Sequence, residues 1–143
     1  DRLTRLGERI DLSRFGKYSK VYLGDGWSVP ENWGVWSLDK RASLTLPLPA
    51  QAPTKLIIET QAFIGGSQTS QDIEILINGV SQIKTTLYKR FGNEIEVPLP
   101  ASVLNSEKLK MDFLFPTAVS PKLLGIGIDE RPLGIGLEAL RYE

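Results

Sequence analysis

Apolar and polar side chains alternate along most of this chain. Ala42, Leu44, Leu46 and Leu48 alternate with Ser43, Thr45 and Pro47. Leu56 and Ile58 begin a second such run that ends near Phe63, and Ile73, Ile75 and Ile77 form a third. Leu109, Met111, Phe113 and Phe115 make a fourth; Ile95 with Val97 and Ile135, Leu137 with Ala139 make shorter ones. A period of two puts every second side chain on one face of an extended strand, so each run predicts a strand with one buried face. Helical spacing is sustained over no long segment, and Ala101 to Glu107, after Pro100, predicts a single helical turn. Asn78-Gly79 predicts a type I′ hairpin turn, because both central positions need positive φ. Gly65-Gly66 and Gly92-Asn93 mark loops, and Pro47, Pro49 and Pro53 confine their strand to an edge or an end. About nine or ten short antiparallel strands at this spacing predict an all-β, jelly-roll-like β-sandwich. One domain is expected over residues 1–143, with residues 1–7 as a loosely held arm. Asp1 is not a translation start, so the chain is expected to belong to a larger protein.

Composition narrows the chemistry. Hydrophobic content of 41% supplies a core without disulfides, which the absence of cysteine excludes. Histidine is absent too, and with it Ser–His–Asp and Cys–His catalysis and imidazole-bound zinc. Lysine plus arginine equals aspartate plus glutamate at 17 each, with no basic stripe, so no nucleic-acid partner is expected. No apolar run approaches the roughly 18 residues of a membrane span, so no membrane insertion by this segment is expected.

All three tryptophans, Trp27, Trp33 and Trp36, fall within ten positions in the stretch GDGWSVPENWGVWSLD. A glycan would stack its C–H face on such rings, with Glu31, Asn32 and Asp39 taking hydroxyls. The other reading makes the rings a plug that closes the sandwich, each N–H bonded to a backbone carbonyl. Parity in a strand from Trp33 to Leu38 predicts Trp33 and Trp36 on opposite faces, hence no flat platform. A second segment, LLGIGIDERPLGIGL, carries Asp129 and Arg131; its glycines imply a close backbone approach or a bulge. Arg131 suits a bidentate contact to Glu31 or Asp129, either as a pin for the loop or facing a sugar. The Gly-Trp loop and this return are expected at one end of the sandwich. The candidate glycan-binding set is therefore Trp27, Glu31, Trp33, Trp36, Asp129 and Arg131. Asp25, Glu31, Asp39 and Asp129 would suit an oxygen shell for structural calcium, but no metal-loop pattern accompanies them, and no cofactor is predicted.

The strings GWSVPENWGVWS and SPKLLGIGIDERPLGIGL, with the opening LGERIDLSRFG and the strand–turn DIEILINGV, resemble a bacterial β-sandwich module. Such modules end envelope phosphoglycerol transferases that decorate periplasmic glucans, and related membrane glycosyltransferases. The resemblance covers nearly the whole chain, and its two end motifs are the specific part. It implies a carbohydrate-binding-module-like accessory domain on the periplasmic or cell-exterior side, partnered by a glycan and by a catalytic domain of its parent. The transferase's own nucleophile motifs do not occur here, so this domain alone is expected to be no enzyme. The alternative is a structural domain that orients the parent's catalytic domain and binds no sugar.

Overall fold

The structure is a computed structural model and describes residues 4–104 and 106–143. Among the described residues the strands are β1 (Ile10–Asp11), β2 (Val35–Leu38), β3 (Arg41–Pro47), β4 (Lys55–Ala62), β5 (Gln71–Ile77), β6 (Val80–Leu87), β7 (Asn93–Pro98), β8 (Lys108–Leu114) and β9 (Leu133–Tyr142). They form two antiparallel sheets. One runs β9-β4-β7, with β1 and β2 both paired along the other edge of β9; the second runs β3-β8-β5-β6. The all-β sandwich expected from alternation is the architecture found. A one-turn helix, α1 (Ser19–Tyr22), was not foreseen, whereas the short 3-10 turn at Ala101–Val103 follows Pro100 as expected. Among the described residues no helix is long and apolar enough to cross a membrane.

The core lies between the sheets. Ala42, Leu44 and Leu46 of β3, Ile73, Ile75 and Ile77 of β5, and Leu109, Met111 and Phe113 of β8 meet Leu56 and Ile58 of β4 and Ile135, Leu137, Leu140 and Tyr142 of β9. Burial alternates residue by residue along β5 and over most of β3, as a period of two demands. Asn78 and Gly79 adopt φ of 47° and 84°, the positive pair that a type I′ turn needs. β6 is an edge strand with little burial, and Lys84 stands exposed on it, a charge that discourages pairing with another chain.

β9 departs from simple alternation. Its register slips against β2 between Trp36 and Leu38, and against β4 between Glu59 and Thr60. Each bulge inserts a residue and reverses parity. The expected inward set of Ile135, Leu137 and Ala139 therefore gives way, after the second bulge, to Leu140 and Tyr142 in the core. At the first bulge the hydroxyl of buried Ser37 accepts the N–H groups of Gly134 and Ile135 at 3.1 and 2.9 Å, satisfying donors that the slipped ladder leaves over.

The first residues of the expected loose arm, 1–3, lie outside the described residues. From Thr4 onward the segment is held: Thr4 is buried, and Gly7 donates its N–H to the carbonyl of Tyr142 at 2.7 Å.

Candidate functional site

The three tryptophans divide between the two sides of the sheet. Trp27 turns inward. It bridges to Ser37, and its indole meets Phe113 edge-on with centroids 5.5 Å apart. Its Nε1–H donates to the carbonyl of Ser43 at 2.7 Å. An indole turned into a core needs such an acceptor, and one is supplied, so half-buried Trp27 packs against the core and its N–H is committed to the backbone. The backbone crowding that holds it there requires glycine: Gly26 sits at φ 89°, and a Cβ on it would strike the Arg41 carbonyl.

Trp33 and Trp36 lie on the outer face of the five-stranded sheet. Parity had predicted opposite faces, but β2 begins only at Val35, so the alternation does not reach Trp33. Trp33 instead swings over the sheet and touches Trp36 with centroids 5.2 Å apart and planes at 70°. The expectation of no flat platform stands; the expectation of separation does not. Trp36 in turn meets Phe63 at 6.2 Å, edge to face. The outer rim of the Trp33 ring fills the space above Gly136, 2.8 Å from where a Cβ would lie, with the Gln61 stem beside it. Gln61 Nε2 donates to Glu138 at 3.3 Å. These residues make a partly exposed aromatic patch flanked by an amide and a carboxylate. Phe63, Gln61, Gly136 and Glu138 were not singled out from sequence. The GIG glycines did signal a close approach, but not what approaches.

Arg131 and Asp129 are brought together. The guanidinium donates from Nε to Oδ1 at 2.9 Å and from Nη2 to Oδ2 at 2.7 Å, while Nη1 donates to Ser28 Oγ at 3.0 Å. The Arg131 hydrogen bonds hold the Asp129 carboxyl down at about 2, below the usual 3.8. Arg131 is raised in turn, first by its hydrogen bond to Asp129 and further by the charges of Asp129 and Glu31, which places Glu31 in electrostatic reach. Ser28 follows Trp27, so this fork ties the Asp-Glu-Arg return to the tryptophan loop, and the two segments do meet at one end. Asp39 N–H to the Pro132 carbonyl, at 2.7 Å, adds a second tie. The fork spends both polar groups on each other, which is the pinning role rather than a display to ligand.

The four carboxylates considered for calcium do not converge, since no cluster of three acidic groups suited to a metal occurs among the described residues. A cleft of about 370 Å³, missed from sequence, lies at the β1 edge and is lined by Thr4, Arg9, Asp11, Phe15, Lys17 and Tyr18 among others.

The chain belongs to the family described as a domain of unknown function, DUF7024, whose profile it matches over residues 2–143. No curated protein matches it in sequence. Among solved structures it is similar to the acetyl xylan esterase Est2A from the rumen bacterium Butyrivibrio proteoclasticus, with a TM-score of 0.57 at 9% identity over 95% of this chain and 32% of that one. It thus spans about a third of that enzyme. It is also similar to the carbohydrate-binding module CBM36 in complex with calcium and xylotriose, with a TM-score of 0.51 at 8% identity over 95% of this chain and 99% of that one. A CBM36-1 domain of a multidomain xylanase from the hindgut metagenome of Trinervitermes trinervoides aligns at 0.50 and 10% identity, over 95% of each chain. At these identities the likeness is one of fold.

Proposed function

We propose that this DUF7024 domain is a non-catalytic accessory module that recognises a glycan, carried by a bacterial envelope transferase that modifies or builds that glycan. The observation that carries the reading is the aromatic patch of Trp33, Trp36 and Phe63 beside Gln61 and Glu138. Partly exposed rings offer faces to sugar C–H groups, and the amide and carboxylate offer hydrogen bonds to hydroxyls. The fold it shares with carbohydrate-binding modules supports the class of ligand without specifying it. The two sequence motifs support a phosphoglycerol transferase or glycosyltransferase as the parent, and a periplasmic or exterior location. Of the sequence-derived set, Trp33, Trp36 and Glu31 remain contact residues in this proposal, while Trp27, Asp129 and Arg131 act by holding the loop.

Calorimetric titration with linear β-glucan oligosaccharides, phosphoglycerol-bearing glucans and xylotriose tests the reading. Saturable binding to at least one, lost in Trp33→Ala and Trp36→Ala, is the expected result. The competing reading is a structural domain that orients its parent's catalytic domain. It draws on the internal use of Trp27 and Arg131, and it predicts no binding to any of these sugars.

A further inference from the structure

The end of the sandwich where the loops 63–70, 88–92 and 120–131 meet carries an unusual surface. Exposed there are Ile128 at 94%, Leu123 at 79%, Tyr88 at 74% and Phe91 at 63%, with Ile126 also exposed. Val80, also exposed, opens β6 at the opposite end of the strand from these loops. The three loops are mutually braced. Arg90 Nε donates to the Ile64 carbonyl at 3.1 Å, and Ala62 N–H to the Arg90 carbonyl at 3.1 Å. Ile126 packs over Gly65 and Gly66. The 120–131 loop is closed on itself by Lys122 N–H to the Asp129 carbonyl at 3.0 Å. Preformed loops therefore present these side chains to water at a standing hydrophobic cost.

Charge says what would cover them. The three loops hold the cations Lys89, Arg90, Lys122 and Arg131 and the carboxylates Asp129 and Glu130. Both carboxylates are already paired, Asp129 with Arg131 at 2.7 Å and Glu130 with Lys122 at 3.2 Å. Lys89 and Arg90 make only backbone-carbonyl contacts among the described residues, to Gly92 and Ile64. An apolar tip with surplus positive charge at its rim matches an anionic bilayer surface: aliphatic and aromatic side chains enter the headgroup boundary while cations meet lipid phosphates. Leu123, Ile126 and Ile128 are aliphatic, and none of the side chains of this surface belongs to the aromatic patch of Trp33, Trp36 and Phe63, so the two surfaces are distinct.

We infer that this end of the domain docks on the surface of an anionic membrane, with Leu123, Ile126, Ile128 and Phe91 entering the interface and Lys89 and Arg90 contacting lipid phosphates. Such docking needs entry of only about 5–10 Å. The lack of a spanning run, from which no membrane insertion was expected, does not bear on it. The inference stands apart from the glycan reading, because it uses other residues.

Co-sedimentation of the chain with vesicles of phosphatidylcholine containing about 30% phosphatidylglycerol, against pure phosphatidylcholine, tests it. The expected result is salt-sensitive binding to the anionic vesicles. The double variant Leu123→Ser/Ile128→Ser should weaken it about tenfold, and Lys89→Glu about fivefold. Val80→Ser, at the opposite end, should leave it unchanged, and circular dichroism should show all variants folded, since the altered side chains are exposed. Absence of binding to anionic vesicles, or binding indifferent to the Leu123 and Ile128 changes, overturns the inference. So does self-association of the chain in solution through this end, abolished by those same changes without vesicle binding, which would make it a protein interface instead.

Discussion

Trp27 and the Trp33–Trp36 pair come from one short stretch, yet they end on opposite sides of a sheet and do different work. Trp27 faces Phe113, gives its N–H to Ser43, and packs against the core. Trp33 and Trp36 lean on each other above Gly136, outside the core, and among the described residues their N–H groups donate to no protein acceptor. What separates them is the local backbone rather than residue type. Gly26 lets the chain press against β3 so that Trp27 packs against the core, and the bend at Asn32 and Trp33 before Gly34 breaks parity so that Trp33 joins Trp36 outside. The lesson is that a tryptophan count says little about ligand binding until the backbone beneath each ring is known.

The comparison breaks most visibly at the inner ring. Trp27→Ala removes a half-buried indole packed on Phe113 and leaves the Ser43 carbonyl with only the Gly24 N–H at 2.8 Å, and should cost about 2–4 kcal/mol in chemical denaturation. An equal cost from Trp33→Ala would erase the distinction. Gly34→Ala should cost roughly 1–3 kcal/mol, because φ is 155° and an added Cβ would meet the Leu137 carbonyl. The outer rings sharpen the contrast from the other side. Trp33→Ala and Trp36→Ala should each cost only about 1 kcal/mol of stability while reducing glycan affinity by about tenfold or more in calorimetry. Gly136→Ala should displace Trp33 and cut affinity by about fivefold with the Trp33 side chain intact. The smallest effect belongs to the fork. Asp129 has a lowered pKa in the fold, so its contribution is present above the unfolded value near 3.8 and fades as pH falls toward about 2. The Asp129 carboxyl should titrate by NMR at about 2 in the native chain and rise only part of the way to its usual 3.8 in Arg131→Ala, because the backbone N–H of that position still donates to Oδ1 at 3.0 Å. For an exposed pair the accompanying stability change should stay within about 1 kcal/mol.

The sandwich was legible because its strands bury one face, and alternation in Leu44, Leu46, Ile73, Ile75 and Ile77 records that directly. The hairpin at Asn78-Gly79 was legible because few other residues take positive φ twice. The parity of β9 was not, since bulges depend on what pairs across, and nothing local to Gly134 or Glu138 states the register of β2 and β4. The site was half legible. Fork geometry gave Arg131 a carboxylate partner but left Glu31 and Asp129 both open, and the fold selects Asp129. Phe63, Gln61 and Gly136 reach the patch from strands distant in sequence, and only the assembled sheet brings them beside Trp33. The apolar end was hidden for the same reason: Phe91 and Ile128 are ordinary loop residues until the fold sets their loops side by side.

The indole region of an amide-correlation NMR spectrum, followed as a glucan oligosaccharide is added, addresses the central claim most directly, because three tryptophans give three N–H signals. The Trp33 and Trp36 signals should shift together and saturate, while the Trp27 signal stays fixed and exchanges slowly with solvent. A Trp27 signal that moves with ligand, or three signals that ignore every sugar offered, would contradict it.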